Sequence, residues 1–206
     1  MKRNQRTEKD ETVYESTPER VTAFSDGVFA IVITIMILEL KRPATPTFGA
    51  LFAEWPTWIS YIVSYVFIAI VWINHHYLLR HATVATWRLI WANFAHLFSV
   101  SLIPFLTDWM AETRLQSVPV VMYAFVFLLV NITYLLLIWE TMGTKKSTDV
   151  PNRARRLFHV RSVLTNLIFG GAMVVALWHP YIGFAMVCAC LTLYLRPGVP
   201  GMRMKM

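Results

Sequence analysis

Charge is scarce in this sequence. Asp, Glu, Lys and Arg make up 15% of its 206 residues, where soluble globular domains carry about 25%. Hydrophobic residues make up 56%, and the mean hydropathy is +0.50. This balance excludes a disordered chain and an ordinary soluble domain, and it points to the bilayer as solvent. Cysteine is almost missing: Cys188 and Cys190 sit two apart in an apolar run. That spacing places them on different faces of a helix, which excludes a mutual disulfide. With no ligating neighbours they read as apolar filler. The chain lacks a Gly-x-Ser-x-Gly elbow, a His-Glu-x-x-His pair and a phosphate-binding glycine loop, so no enzyme signature is present. It also lacks an internal repeat of 20 to 50 residues. The first nineteen residues lack an apolar core and carry Lys2, Arg3, Arg6, Lys9 and five acidic residues, which excludes a signal peptide there.

What is present is a succession of apolar runs. A spanning helix needs about 20 mostly apolar residues, and six runs qualify: 18–40, 54–79, 88–108, 117–140, 157–178 and 180–196. Gly170-Gly171, His179-Pro180 and Gly183 interrupt the last two, which also suit a helical hairpin turning at His179-Pro180. The expected fold is therefore all-α, polytopic, with six transmembrane helices. An even count puts both termini on one side. That side then holds sixteen of the nineteen basic residues, leaving Lys41, Arg42 and Arg114 on the other. The positive-inside rule makes the basic side cytoplasmic. Trp55, Trp58, Trp87, Trp109, Trp139 and Trp178 lie near run ends, as interfacial belts require. The net charge of +7 is thus accounted for by orientation and by contact with anionic membrane lipids. No nucleic-acid partner is implied, because no recognition fold or soluble domain is there to carry one.

The first helix holds the most informative residues. Thr17-Pro18-Glu19 is a helix start: Thr17 can cap, Pro18 suits the first turn, and Glu19 meets the positive end of the dipole. A helix begun at Gly27 would be about 21 Å long and too short to span, whereas one begun at Pro18 reaches about 34 Å. Ser25 and Asp26 therefore lie inside the helix, where a carboxylate costs about 2.5–3.5 kcal/mol unless paired or wet. At about 100° per residue, Ile31, Ile35 and Leu38 fall on one stripe, Thr34 flanks it, and Asp26 lies about 140° away from Ile31. Ala23 and Gly27 form a small-x-x-x-small pair that permits close helix approach. The stripe sits in a run that is apolar all round, so pattern alone fits a packed or lipid-facing helix as well as a pore-lining one.

Arg20-x-x-x-Phe24-Ser25-Asp26-Gly27-Val28-Phe29-Ala30-Ile31, followed by Thr34 and Leu38-Glu39, resembles the first helix of the transmembrane protein 175 potassium channels of lysosomes and bacteria. Ser60-Tyr61 through Trp72-Ile-Asn-His75-His76, then Asn93 and Pro104-Phe105, continue the resemblance over roughly the first half of the chain. The resemblance implies a six-helix subunit of a homotetramer in which the first helix lines a central pore. It implies a multi-pass protein of a prokaryotic plasma membrane, with potassium ions as the permeant species and no cofactor. The family lacks the Thr-Val-Gly-Tyr-Gly carbonyl filter, and so does this chain. The implied constriction is a set of apolar rings at Ile31, Ile35 and Leu38, with Thr34 as a pore-lining hydroxyl. Arg20, Phe24, Ser25 and Asp26 would fasten the pore helix, with Trp72, His75, His76 and Asn93 as candidate partners. Residues 18–196 would form the channel domain, between cytoplasmic tails at 1–17 and 197–206.

Two rival readings attach to the same residues. Asp26 as a proton-carrying carboxylate would make the chain a proton-coupled secondary transporter, although the paired broken helices of that class are missing. Adjacent His75 and His76 point different ways on a helix, unlike the i, i+4 pair of a metal site, so a structural role is expected for them and no metal. Asp108 and Glu112 read as solvated loop charge on the outer side.

Overall fold

The computed structural model describes residues 17–143 and 152–194. The expected tails fall mostly outside these residues, as does part of the basic inner loop. The described residues are helical, with no strand among them. Helices α1 (Pro18–Ile35), α2 (Phe48–Ala53), α3 (Trp55–Leu79), α4 (Trp87–Ser101), α5 (Ile103–Glu112), α6 (Ser117–Gly143), α7 (Asn152–Ala176) and α8 (Pro180–Tyr194) follow in order.

Helix α1 begins at Pro18, so Ser25 and Asp26 are inside it. Thr17 has the extended backbone of a cap, but its side chain makes no cap hydrogen bond. Its carbonyl instead accepts from the Arg20 amide at 3.0 Å. The helix tightens into a 3-10 turn over Met36–Glu39 before Pro43 biases the chain towards an extended path. The third apolar run is not one straight helix. Pro104 is the second residue of α5; its ring cannot donate and would clash with the carbonyl of Val100, so the chain breaks at Leu102. Together α4 and α5 still make one apolar span, Trp87–Glu112. Three further spans have the length and composition to cross a membrane: Pro18–Glu39, Trp55–Leu79 and Ser117–Thr141. The last two apolar stretches, Val163–Ala176 and Pro180–Thr192, are shorter.

Helix α6 sits at the centre, packed on α4, α5, α7 and α8, while α1 rests on α3 and α4 at the rim. The core is aromatic. Phe67 stacks on Phe127 at 3.8 Å between centroids, and Phe169 meets Phe127 edge-on at 5.8 Å. The α7–α8 hairpin turns at His179-Pro180 and closes on Gly183, where a Cβ would lie 2.6 Å from that of Ala176 and 2.8 Å from the Ala172 carbonyl oxygen. Cys190 is buried, Cys188 half-buried, and neither forms a disulfide. Left-handed backbone at Arg114 (φ 51°) and Leu115 (φ 64°) makes the α5–α6 turn. The Leu115 amide closes it on the Met110 carbonyl at 2.9 Å.

Candidate pore helix and its anchor

The two sides of α1 have opposite environments. Val21, Ser25, Phe29, Val32 and Met36 are buried against the bundle. Ile31, Ile35 and Leu38 are 58%, 43% and 75% exposed, and Ala23, Gly27, Ala30 and Thr34 share the open side. Only 22% of the α1 span is buried, against 44–50% of the other three spans. The Thr34 hydroxyl donates back to the Ala30 and Ile31 carbonyls at 2.9 Å. Its oxygen lone pairs are thereby left to face outward.

A chain of polar groups holds the buried side. The Ser25 hydroxyl donates to the Val21 carbonyl at 2.8 Å and accepts from Asn93 Nδ2 at 3.0 Å. Asn93 Oδ1 in turn accepts from His75 Nε2 at 2.7 Å. Ser25, Asn93 and His75 are all buried, so each link replaces water that the bilayer cannot supply. Asp26 lies at the edge of this cluster. The Trp72 indole N–H donates to Asp26 Oδ1 at 2.8 Å, and His76 Nδ1 is 3.9 Å from Oδ2. Asp26 also borders an open cleft of about 390 Å³ with Glu19, Thr22 and Arg80. Phe24 packs edge-on against Phe94 at 5.5 Å. Arg20 is exposed, and among the described residues it makes no ion pair with this cluster.

The structure thus brings Ser25, Asp26, Trp72, His75, His76 and Asn93 together, leaves Arg20 apart, and places Ile31, Thr34, Ile35 and Leu38 on the open face. The adjacent histidines diverge, His75 to Asn93 and His76 towards Asp26, and among the described residues no group of three or more metal-ligating side chains occurs. A second buried polar cluster escaped the sequence reading. The Thr107 hydroxyl donates to the Ile103 carbonyl at 2.7 Å, so it accepts from Ser64, and Ser64 accepts from Tyr123, each at 2.7 Å. Its three members come from three helices and have no local motif; isolated hydroxyl residues in apolar runs were the only signal. Asp108 and Glu112 are not loop charges. They project from α5, and Lys41 bonds Glu112 and lies 4.0 Å from Asp108. That bond and the neighbouring carboxylates raise the Lys41 pKa above its ordinary value.

A profile of the family described as endosomal/lysosomal potassium channel TMEM175 matches residues 20–104, which contain Ser25, Asp26, Trp72, His75, His76 and Asn93. A protein named a potassium channel from Streptomyces collinus is 33% identical over 184 residues, covering 84% of this chain and 85% of that one. The chain belongs to the TMEM175 family. A second relative named a potassium channel, from a Chryseobacterium species, is 38% identical over 121 residues; the match covers 59% of this chain and 63% of that protein. The crystal structure of a lysosomal potassium-selective channel TMEM175 homologue from Chamaesiphon minutus superposes with a TM-score of 0.75 at 23% identity, covering 86% of this chain and 96% of that one. That likeness is one of fold. It extends the family's all-helical architecture beyond the stretch matched by the profile.

Proposed function

We propose that this chain is one subunit of a homotetrameric, potassium-permeable channel of a prokaryotic plasma membrane, with α1 of each copy lining a central pore. The observation that carries the reading is the open face of α1. Ile31, Ile35 and Leu38 stand exposed on it among the described residues, while the opposite face is fixed by hydrogen bonds. Ala23, Gly27, Ala30 and Thr34 on the same side favour close approach of neighbouring helices over a purely lipid-facing surface. Rings of Ile31, Ile35 and Leu38 would form a hydrophobic constriction that gates by dewetting, in place of a carbonyl filter. The outward lone pairs of Thr34 would be the polar contact for a passing cation. Arg20, Phe24, Ser25 and Asp26 would fasten the pore helix from the other side, with Arg20 reaching a neighbouring subunit or lipid headgroups.

The family membership and the names of the Streptomyces and Chryseobacterium relatives support potassium as the permeant ion. Six crossings and cytoplasmic termini fit the bias of basic residues. They require α7, about 37 Å long at 25 residues, and the shorter α8 to cross as well. The channel domain would run over 18–196, between cytoplasmic tails at 1–17 and 197–206, with no cofactor and no nucleic-acid partner.

Purified protein in liposomes tests the reading. It should pass potassium down its gradient with no proton gradient and no counter-substrate. Potassium movement only when coupled to protons would replace the channel with a transporter in which Asp26 is the carrier.

A further inference from the structure

Behind the polar chain that holds α1, helices α3, α4, α6 and α7 surround a chamber of about 20 Å³. Its polar walls are Asn74, His96, Asn131 and Tyr134, and Val130 and Phe169 are among its apolar ones. A space needs roughly 10–15 Å³ on this measure to take one water molecule. The chamber therefore has room for about one water molecule.

The hydrogen-bond pattern states what His96 offers to that space. The Thr133 hydroxyl donates to its own helix, to the Leu129 carbonyl at 2.9 Å and the Val130 carbonyl at 3.1 Å. Its oxygen consequently accepts from His96 Nδ1 at 3.1 Å. An imidazole that carries its proton on Nδ1 has a bare lone pair on Nε2. His96 is fully buried, and Nε2 has no hydrogen-bond partner among the described residues. A second polar group on the same wall is similarly uncommitted. The Asn74 backbone carbonyl accepts from the Tyr134 hydroxyl at 3.2 Å, but its carboxamide makes no hydrogen bond within the described residues. A buried acceptor in apolar surroundings is costly unless a donor reaches it.

We propose that this chamber is a resident water site. One molecule donates to His96 Nε2 and bridges to the Asn74 carboxamide, tying α4 to α3. The His96 ring lies parallel to that of His75 at 5.6 Å, and His75 holds Asn93 and, through it, Ser25 of α1. The water therefore backs the anchor of the first helix from inside the subunit, away from the exposed stripe. The inference does not depend on which ion the protein conducts.

Radiolytic hydroxyl-radical footprinting of the assembled protein in lipid nanodiscs tests it, because an ordered water yields radicals that oxidise the side chains touching it. Phe169 lines the chamber; Phe127 is equally buried and does not. Phe169 should oxidise measurably faster than Phe127 if a water fills the chamber. Val130→Ile, which adds a methyl group at the wall, should bring Phe169 down to the Phe127 rate. Equal rates in the wild-type protein would overturn the proposal, as would a fast Phe169 rate that survives the Val130→Ile change.

Discussion

Trp72 of α3 donates its indole N–H to Asp26 of α1 at 2.8 Å. The bond gives the carboxylate inside the first helix a donor that cannot be deprotonated, on the face away from Ile31. Asp26 is about one-third exposed, so the bond is worth less than a fully buried one. Trp72→Phe keeps most of the packing and removes the donor. It should lower the stability of the folded protein by about 1–2 kcal/mol, read as the thermal midpoint by size-exclusion chromatography. An unchanged midpoint would mean that the cleft beside Glu19 and Arg80 already solvates Asp26.

Asn93 is the middle link of the buried chain, joining His75 to Ser25. Asn93→Leu leaves His75 Nε2 without its acceptor and removes the donor to Ser25, whose hydroxyl keeps its bond to the Val21 carbonyl, and should cost about 1–3 kcal/mol. Because Ser25→Ala removes part of the same network, the double variant should cost clearly less than the sum of the two single ones. Additive losses in a double-mutant cycle would show that Ser25 and Asn93 act independently.

Gly183 is a point of close approach in the hairpin formed by α7 and α8. Gly183→Ala places a methyl group 2.6 Å from the Ala176 Cβ and should cost about 1–3 kcal/mol of overpacking. Ala176→Gly should restore part of that loss by clearing the nearest atom. Failure of the second change to help would mean that the Ala172 carbonyl, 2.8 Å away, sets the limit.

Lys41 pairs with Glu112 beyond the end of α1, on an exposed surface. Its pKa is raised in the folded protein above the ordinary 10.5. A raised pKa means that the charged lysine stabilises the folded state at every pH below 10.5, and that this contribution fades only as pH climbs through the higher folded value. Thermal midpoints of the wild type and Lys41→Met should therefore differ by a small, constant amount from pH 7 to about 10 and converge above that. Salt should shrink the gap throughout, because exposed pairs are screened. A gap that closes between pH 7 and 9 would contradict this assignment.

Much of the fold was legible because bilayer physics writes it in composition. The long apolar runs, the start of α1 at Pro18 and the turn at His179-Pro180 all follow from hydropathy and proline chemistry. The break at Leu102 was less visible, although Pro104 announces it, because apolar character continues across it. Within the site, the helical wheel separated Ser25 and Asp26 from the Ile31 stripe correctly, since period and rise fix directions on one helix. It did not choose between Trp72, His75, His76 and Asn93 as partners of Asp26. That choice depends on how α3 and α4 rotate against α1, which local pattern does not encode. The Ser64–Thr107–Tyr123 cluster and the Lys41–Glu112 pair were missed for the same reason.

The central claim is that the exposed stripe of α1 lines the pore, and Ile31 is the residue on which to test it. Single-channel recording of Ile31→Asn beside the wild type in planar bilayers is the direct measurement. A polar side chain in a dewetting constriction should hold water there, so potassium conductance should rise and the preference for potassium over sodium should weaken. A variant that assembles normally and conducts with unchanged amplitude and unchanged selectivity would remove Ile31 from the pore and contradict the account.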